Sequence, residues 1–274
     1  MASNHLILVI FVTLLLHSNN NTVVEAQLRA DFYSKSCPSL FTIVGKALRE
    51  PIALHRAPSI IRLFYLDCFV NVRVVSCADI LAIAARQSVQ WYLRSSWELL
   101  LGRRDARTAS QAAANSSIPL PTSSLTELIS IFGKLGFSPR ELVALSGAHT
   151  IGETSCINVR TRIYNDTNIN PSFAADFRKR CPITSIDWRR VPLDYLTPDR
   201  FDTGYFNNLM SLTGVLHSDQ ELFNNGSTDS IDREYSHDVT LFYSDFTAAM
   251  LKMSLLSPLT GSDGEIRKSC WKIN

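Results

Sequence analysis

Charge imbalance is the first thing missing from this sequence. Lys and Arg number 27 against 25 Asp and Glu, a net charge of +2 over 274 residues. A balance so near zero lacks the electrostatic footprint of a nucleic-acid binder. Low-complexity linkers and internal repeats are also absent. With 46% hydrophobic and 19% charged residues and 11 prolines, disordered, collagen-like and multi-span membrane classes are excluded. None of the six cysteines stands at C-x2-C spacing, which removes the usual zinc frameworks. Sustained period-2 alternation is nearly absent, so strands are expected to be few and short.

What is present starts with an apolar run, Leu6 to Leu16. It is too short to span a bilayer and of the right length for the middle of a signal peptide. Val24 and Ala26 then supply small residues at the −3 and −1 positions of a cleavage site. Residues 1–26 are therefore read as a signal peptide and 27–274 as one folded domain. No later segment is apolar enough to cross a membrane, so a secreted product is expected. Six cysteines (Cys37, Cys68, Cys77, Cys156, Cys181 and Cys270) suit disulfides in that compartment, though six allow 15 pairings. Three glycosylation acceptors, at Asn115, Asn165 and Asn225, lie in the same domain.

Helical signals dominate the domain. Ser138-Pro139-Arg140-Glu141 combines an N-cap Ser, a Pro at the first helical position and a Glu three residues after the cap. Gly147 marks the expected stop. Ser124 to Leu135 carries apolar residues at helical spacing, Ser76 to Trp91 is apolar nearly all round, and Val239 to Leu256 gives another long helix. Pro119 to Pro121 and Cys181 to Pro198 read as loops. The expected class is all-α, one domain with two lobes.

Four histidines lie beyond the signal segment: His55, His149, His217 and His237. His149 sits just past the expected helix end, in Ser146-Gly-Ala-His-Thr-Ile-Gly152. That motif resembles the proximal-histidine motif of the class III secretory plant haem peroxidases. Further matches follow in order: Gln27 to Pro38, Val75-Ser-Cys-Ala-Asp-Ile-Leu-Ala82, Leu101-Gly-Arg-Arg-Asp105, Thr197-Pro-Asp-Arg-Phe-Asp202, Leu216-His-Ser-Asp-Gln220 and Pro258 to Arg267.

The resemblance implies the plant peroxidase fold, two helical lobes around haem b, and oxidation of phenolic donors by hydrogen peroxide. It implies peroxide removal and a response to oxidative stress, in the cell wall, apoplast or vacuole, by a monomer with no nucleic-acid or membrane partner. His149 is then the axial ligand of the iron, and Asp219 accepts the other ring N–H. Thr150, Asp194, Thr197 and Asp202, with the carbonyl of Arg200, match a proximal Ca²⁺ site. Pro119 matches a proline at the donor channel, and Asp79 with Arg103 a structural ion pair. Cys77 pairs with Cys270, and Cys156 with Cys181, by the same resemblance. His217 and His237 are expected at the surface.

The other half departs from the family. The family reads Arg-Leu-His-Phe-His-Asp-Cys-Phe-Val where this chain reads Arg62-Leu-Phe-Tyr-Leu-Asp-Cys-Phe-Val70. Arg62, the stabiliser of charge in peroxide cleavage, is kept, and Tyr65 stands at the aromatic position. The distal catalytic histidine is Leu66, which transfers no proton. His55 is eleven residues before Leu66, about 16 Å along a continuous helix, too far to replace it. After Asn71 several tens of residues expected from the family are missing before Val74. The distal Ca²⁺ site is reduced to Asp67 and Val70 and expected to be empty. The usual partners of Cys37 and Cys68 lie in the missing stretch, leaving those two as free thiols or as an atypical pair. Peroxide cleavage is therefore expected to be impaired. A non-catalytic haem-binding secreted protein and a degenerate gene product stand as alternatives.

Overall fold

The helices that frame the site start where side chains can satisfy the first free backbone N–H groups. In this computed structural model, which describes residues 28–53, 74–93, 97–184 and 188–274, helix α1 runs Leu40–Ala53, α2 Cys77–Leu93, α3 Gln111–Ser117, α4 Leu125–Lys134 and α5 Pro139–Ser146. The N-cap of α5 is Ser138: its Oγ accepts from Glu141 N at 3.3 Å, and Glu141 Oε2 accepts from Ser138 N at 2.7 Å. The same box starts α4, from Ser124 and Glu127. Helix α2 has a remote cap instead. Asp105 accepts from the N–H groups of Cys77 and Ala78, at 3.1 and 2.9 Å.

Helix α5 ends at Ser146 with Gly147 as its C-cap, as the sequence leads one to expect, but the chain does not unwind there. Gly147 keeps right-handed helical angles (φ −57°, ψ −13°) and the helix tightens into a 3₁₀ turn, Gly147–Thr150. The glycine serves close approach. A Cβ at this position would lie 2.5 Å from Phe242 Cε2, so only a residue without one lets the turn rest on the aromatic core.

Strand β1 (Glu153–Ser155) follows, then α6 (Cys156–Asn165) and α7 (Pro171–Arg180). The stretch Cys181 to Pro198, expected to be loop, contains strand β2 (Arg190–Pro192). It pairs antiparallel with β1, Thr154 opposite Val191. Three residues carry no period-2 signal, which is why the sequence hides it. Helices α8 (Gly204–Met210), α9 (His217–Gln220), α10 (Asp229–His237) and α11 (Val239–Ser254) complete the chain, with a 3₁₀ turn at Glu221–Phe223. The all-α class with few short strands holds. None of the helices among the described residues is long and apolar enough to cross a membrane.

Among the described residues the apolar interior forms two clusters. The larger joins α1, α2, α4, α5, α8, α10 and α11 around Tyr205, Phe206, Phe242 and Phe246. The smaller is drawn wholly from residues between Cys156 and Leu216. Two disulfides among the described residues staple the framework. Cys77–Cys270 joins the start of α2 to the C-terminal segment, and Cys156–Cys181 joins α6 to the end of α7. Cys37 carries a free thiol, and Cys68 lies outside the described residues. Asp79 and Arg103 form a buried ion pair at 2.9 Å; Asp79 also accepts from Tyr33 Oη and Gly102 N. Three donors thus answer the buried charge.

Asp232 on α10 breaks that rule. It is fully buried, and neither carboxyl oxygen has a hydrogen-bond partner among the described residues. Burial, reinforced by the charge of Asp229, pushes its pKa well above the usual carboxylate range. The folded state therefore holds a proton that the unfolded chain releases near pH 4. The stability this supplies is complete below that pH and is lost as pH rises through the folded pKa. Asp232→Leu is expected to stabilise the protein at neutral pH by about 1–3 kcal/mol. Thermal melts at pH 4, 6 and 8 should show the gap between variant and parent widening with pH.

Candidate active site

The 3₁₀ turn after α5 projects His149 towards α9, 70 residues further along the chain. His149 Nδ1 and Asp219 Oδ1 are 2.8 Å apart. Asp219 is 2% exposed and its other oxygen, Oδ2, accepts from Leu216 N at 3.3 Å, within the first turn of α9. Tyr205 Oη, from α8, donates to the same Oδ1 at 3.1 Å, and its ring meets the imidazole edge to face at 6.3 Å. Burial opposes a charge on His149, but the negative charge of Asp219 and its hydrogen bond outweigh it, and the imidazole pKa is raised. Tyr205 is fully buried. That burial, with the charges of Asp219 and Asp232, holds its phenol well above the ordinary range.

The remaining ring nitrogen, Nε2, has no hydrogen-bond partner among the described residues. The His149 side chain is 39% exposed where it borders a cavity of about 340 Å³. Leu128, Phe132, Leu145 and Leu216 give that cavity apolar walls, and Pro119 and Pro121 form its rim. Ser218 N donates to Pro121 O at 3.0 Å, so the proline loop is tied to the same helix that carries Asp219.

A second constellation starts at the next residue. Thr150 Oγ1 lies 3.0 Å from Asp194 Oδ2 and 3.2 Å from the carbonyl of Arg200. Thr197 Oγ1 is 2.8 Å from Asp202 Oδ1 and 3.4 Å from Asp194 Oδ2. Asp194 is fully buried. Its Oδ1 is already occupied by the N–H groups of Leu196 and Thr197 and the amide of Asn208, which turns Oδ2 towards the threonines. The result is five hard oxygen donors, two of them carboxylates, drawn from the end of the 3₁₀ turn and the 194–202 loop. Among the described residues no group of three or more His, Cys, Asp or Glu is placed to hold a metal ion. The five oxygens are of the kind that could hold a hard cation.

The structure brings together His149, Asp219, Pro119, Thr150, Asp194, Thr197, Arg200 and Asp202. Arg62, Leu66, Asp67, Cys68 and Val70 lie outside the described residues, as do Tyr65 and His55. His217, expected at the surface, is only part-exposed. Its Nδ1 sits 2.7 Å from Asp166 Oδ2, which Arg162 also engages. A fully buried Arg162 needs that carboxylate, and the histidine closes over it. His237 is exposed as expected. Tyr205 was missed because nothing local distinguishes it from a core aromatic. Its contact with Asp219 depends on α8 and α9 folding together.

Residues 70–238 match the family model described as Peroxidase. The chain is 47% identical to Peroxidase P7 of Brassica rapa subsp. rapa over 296 residues, covering 90% of this chain and all of that one. It is 46% identical to Peroxidase 68 of Arabidopsis thaliana over 313 residues, 96% of each, and 45% identical to Peroxidase 4 of Vitis vinifera over 298, covering 91% and 93%.

The chain belongs to the class III plant haem peroxidases.

Membership brings haem and calcium as the family's cofactors, and hydrogen peroxide with a reducing donor as its substrates. The match to Peroxidase P7 also carries a length. Nine-tenths of 274 residues is about 247, set against 296 aligned positions, so about 49 positions have no counterpart in this peroxidase.

Gly204 tests how tightly the oxygen cluster is built. A Cβ there would stand 2.1 Å from Thr197 Oγ1, 2.8 Å from Asp194 Oδ2 and 2.9 Å from Asp202 Oδ1. Gly204→Ala must therefore push the cluster apart. It is expected to destabilise the fold by about 1–3 kcal/mol, in the range of overpacking. A thermal melt followed by circular dichroism reads the loss.

Proposed function

We propose that this chain is a secreted haem peroxidase that keeps its proximal machinery and has lost the group that starts peroxide cleavage. The observation that carries the proximal half is the His149–Asp219 pair bordering an apolar cavity. One ring nitrogen is occupied by a buried carboxylate, and the other is left for a ligand. That arrangement fits a metal held by imidazole, with the carboxylate fixing the tautomer and raising ligand basicity.

Haem supplies the iron at which the peroxide O–O bond is broken and through which a phenolic donor is oxidised. In this reading His149 Nε2 would hold the iron, and Asp219 would keep the Nδ1 proton in place. Pro119, which lines the cavity, would meet an approaching donor. Thr150, Asp194, Thr197, Asp202 and the Arg200 carbonyl would hold Ca²⁺. That ion would fix the residue next to the iron ligand, so metal binding and ligand geometry are coupled through one peptide bond.

Arg62 retains its positive charge for the departing oxygen. Leu66 neither takes a proton from the inner peroxide oxygen nor returns one to the outer. A positioned acid–base group contributes about 10²–10⁴-fold in rate. The missing positions are assigned to the stretch between Asn71 and Val74, with Asp67 and Val70 as an empty remnant of a second Ca²⁺ site. Residues 1–26 act as the signal peptide. Secretion is supported by the two disulfides and by the exposure of Asn115, Asn165 and Asn225, the three acceptor sites.

The haem-loaded protein, mixed with hydrogen peroxide in a stopped-flow absorbance experiment, is expected to react slowly, and Leu66→His to accelerate it. Parent protein reacting at rates typical of intact family members would overturn the impaired-cleavage reading. A Soret band with no donor oxidation by either protein favours the second reading, a non-catalytic haem-binding protein, for which Leu66 is the specific argument.

Calcium makes a separate expectation. Chelation with EGTA should lower the melting temperature and perturb the Soret band, and added Ca²⁺ should restore both. Asp194→Asn should melt low and respond to neither addition.

A further inference from the structure

The pair of His149 and Asp219 is in fact a trio, with Tyr205 its third member. Asp219 Oδ1 accepts two hydrogen bonds at once, from His149 Nδ1 at 2.8 Å and from Tyr205 Oη at 3.1 Å. The carboxylate is buried, so no bulk water competes for that oxygen. Two donors on one oxygen share its negative charge. Whatever the phenol draws off is no longer available to pull on the imidazole proton.

We propose that Tyr205 is a positioning residue that moderates the hold of Asp219 on the Nδ1 proton of His149, and so limits how strongly Nε2 donates to the iron. The inference rests on His149 being the iron ligand for its final step. Its first step, the sharing of Asp219 Oδ1, concerns this chain's own residues alone.

The surroundings favour a donor that never switches off. Tyr205 is wedged between Phe206 and the imidazole, with ring centroids 5.2 and 6.3 Å away. A tyrosine hydroxyl is ordinarily protonated at working pH and donates. The acceptor is fixed as rigidly. Asp219 Oδ2 is tied to Leu216 N, and the next residue, Gln220, accepts from Arg162 Nη2 at 3.1 Å and donates to the carbonyls of Leu209 and Phe223. Neither partner is free to swing away when the other is altered. Removing one hydroxyl should therefore change charge sharing and leave the ring positions in place.

Tyr205→Phe is the decisive variant, since it deletes the hydroxyl and keeps the packing. In the apoprotein the His149 Nδ1–H proton resonance is expected to move downfield, because Asp219 then pulls harder on it. In the haem-loaded protein the ferric state is expected to gain by up to about tenfold over the ferrous, a fall of about 59 mV in a one-electron potential. The iron–imidazole stretch should rise. Asp219→Asn is expected to shift the potential the opposite way, and Tyr205→Phe added to it should produce no further shift. A structural disturbance would not reverse sign between the two.

An unmoved Nδ1–H resonance in Tyr205→Phe overturns the proposal, with or without haem. An unmoved potential in haem-loaded protein overturns its final step. If His149→Ala leaves the Soret band of the parent unchanged, the ligand assignment fails instead. The apoprotein resonance still decides the sharing.

Discussion

One hydrogen bond, from an imidazole nitrogen at His149 to a carboxylate oxygen at Asp219, sets the requirement the rest of the chain satisfies. The two residues are 70 positions apart, and everything between them must leave and return to within 2.8 Å. The excursion packs an apolar cluster of its own, closed by the Cys156–Cys181 disulfide and the β1–β2 pairing. Arg162 then fastens the outgoing helix to the returning segment, donating to Gly214 O and Gln220 Oε1 from a fully buried position. A buried guanidinium is costly unless every donor is used. Here it fixes the helix turn that presents Asp219.

The same excursion delivers the oxygen cluster. Asp194, Thr197 and Asp202 come from the loop after β2 and meet Thr150, the neighbour of the imidazole. Two carboxylates brought this close repel each other, and the structure answers with backbone and Asn208 donors on one side of Asp194 and hydroxyls on the other. The cluster and the imidazole share a peptide bond. Loosening one must therefore move the other. Stability and ligand geometry are the same property at this point in the fold.

The two halves of this peroxidase have fared differently. The proximal side is dense with answered polar groups and closely packed aromatics. The sequence has Leu66 where the resemblance leads one to expect a histidine, about 49 positions of a relative have no counterpart, and Cys37 is a free thiol among the described residues. Even within the well-packed region Asp232 buries a carboxyl without a partner. Each feature is a departure from the mutual satisfaction of neighbouring choices that specifies a single fold. Together they set a densely satisfied region around His149 and Asp219 against a sequence that departs from its family elsewhere.

The sequence determined what local chemistry can determine. Ser138 with Glu141 starts α5 because the capping groups lie three residues apart. The stretch from Cys77, read as apolar nearly all round, does form α2, but only part of it is buried, and Gln90 and Trp91 are exposed. Resemblance over several motifs leads us to expect Asp219 beside His149 and an oxygen cluster of Thr150, Asp194, Thr197, Arg200 and Asp202. Tertiary structure decided what depends on contacts between distant segments. It continued Gly147 into a 3₁₀ turn because Phe242 lies against it, and placed β2 where only β1 could reveal a strand. It drew His217 onto Asp166 and set Tyr205 on the same oxygen that His149 uses. Such contacts leave no periodicity or cap in the sequence, because the groups that make them are neighbours only after the chain has folded.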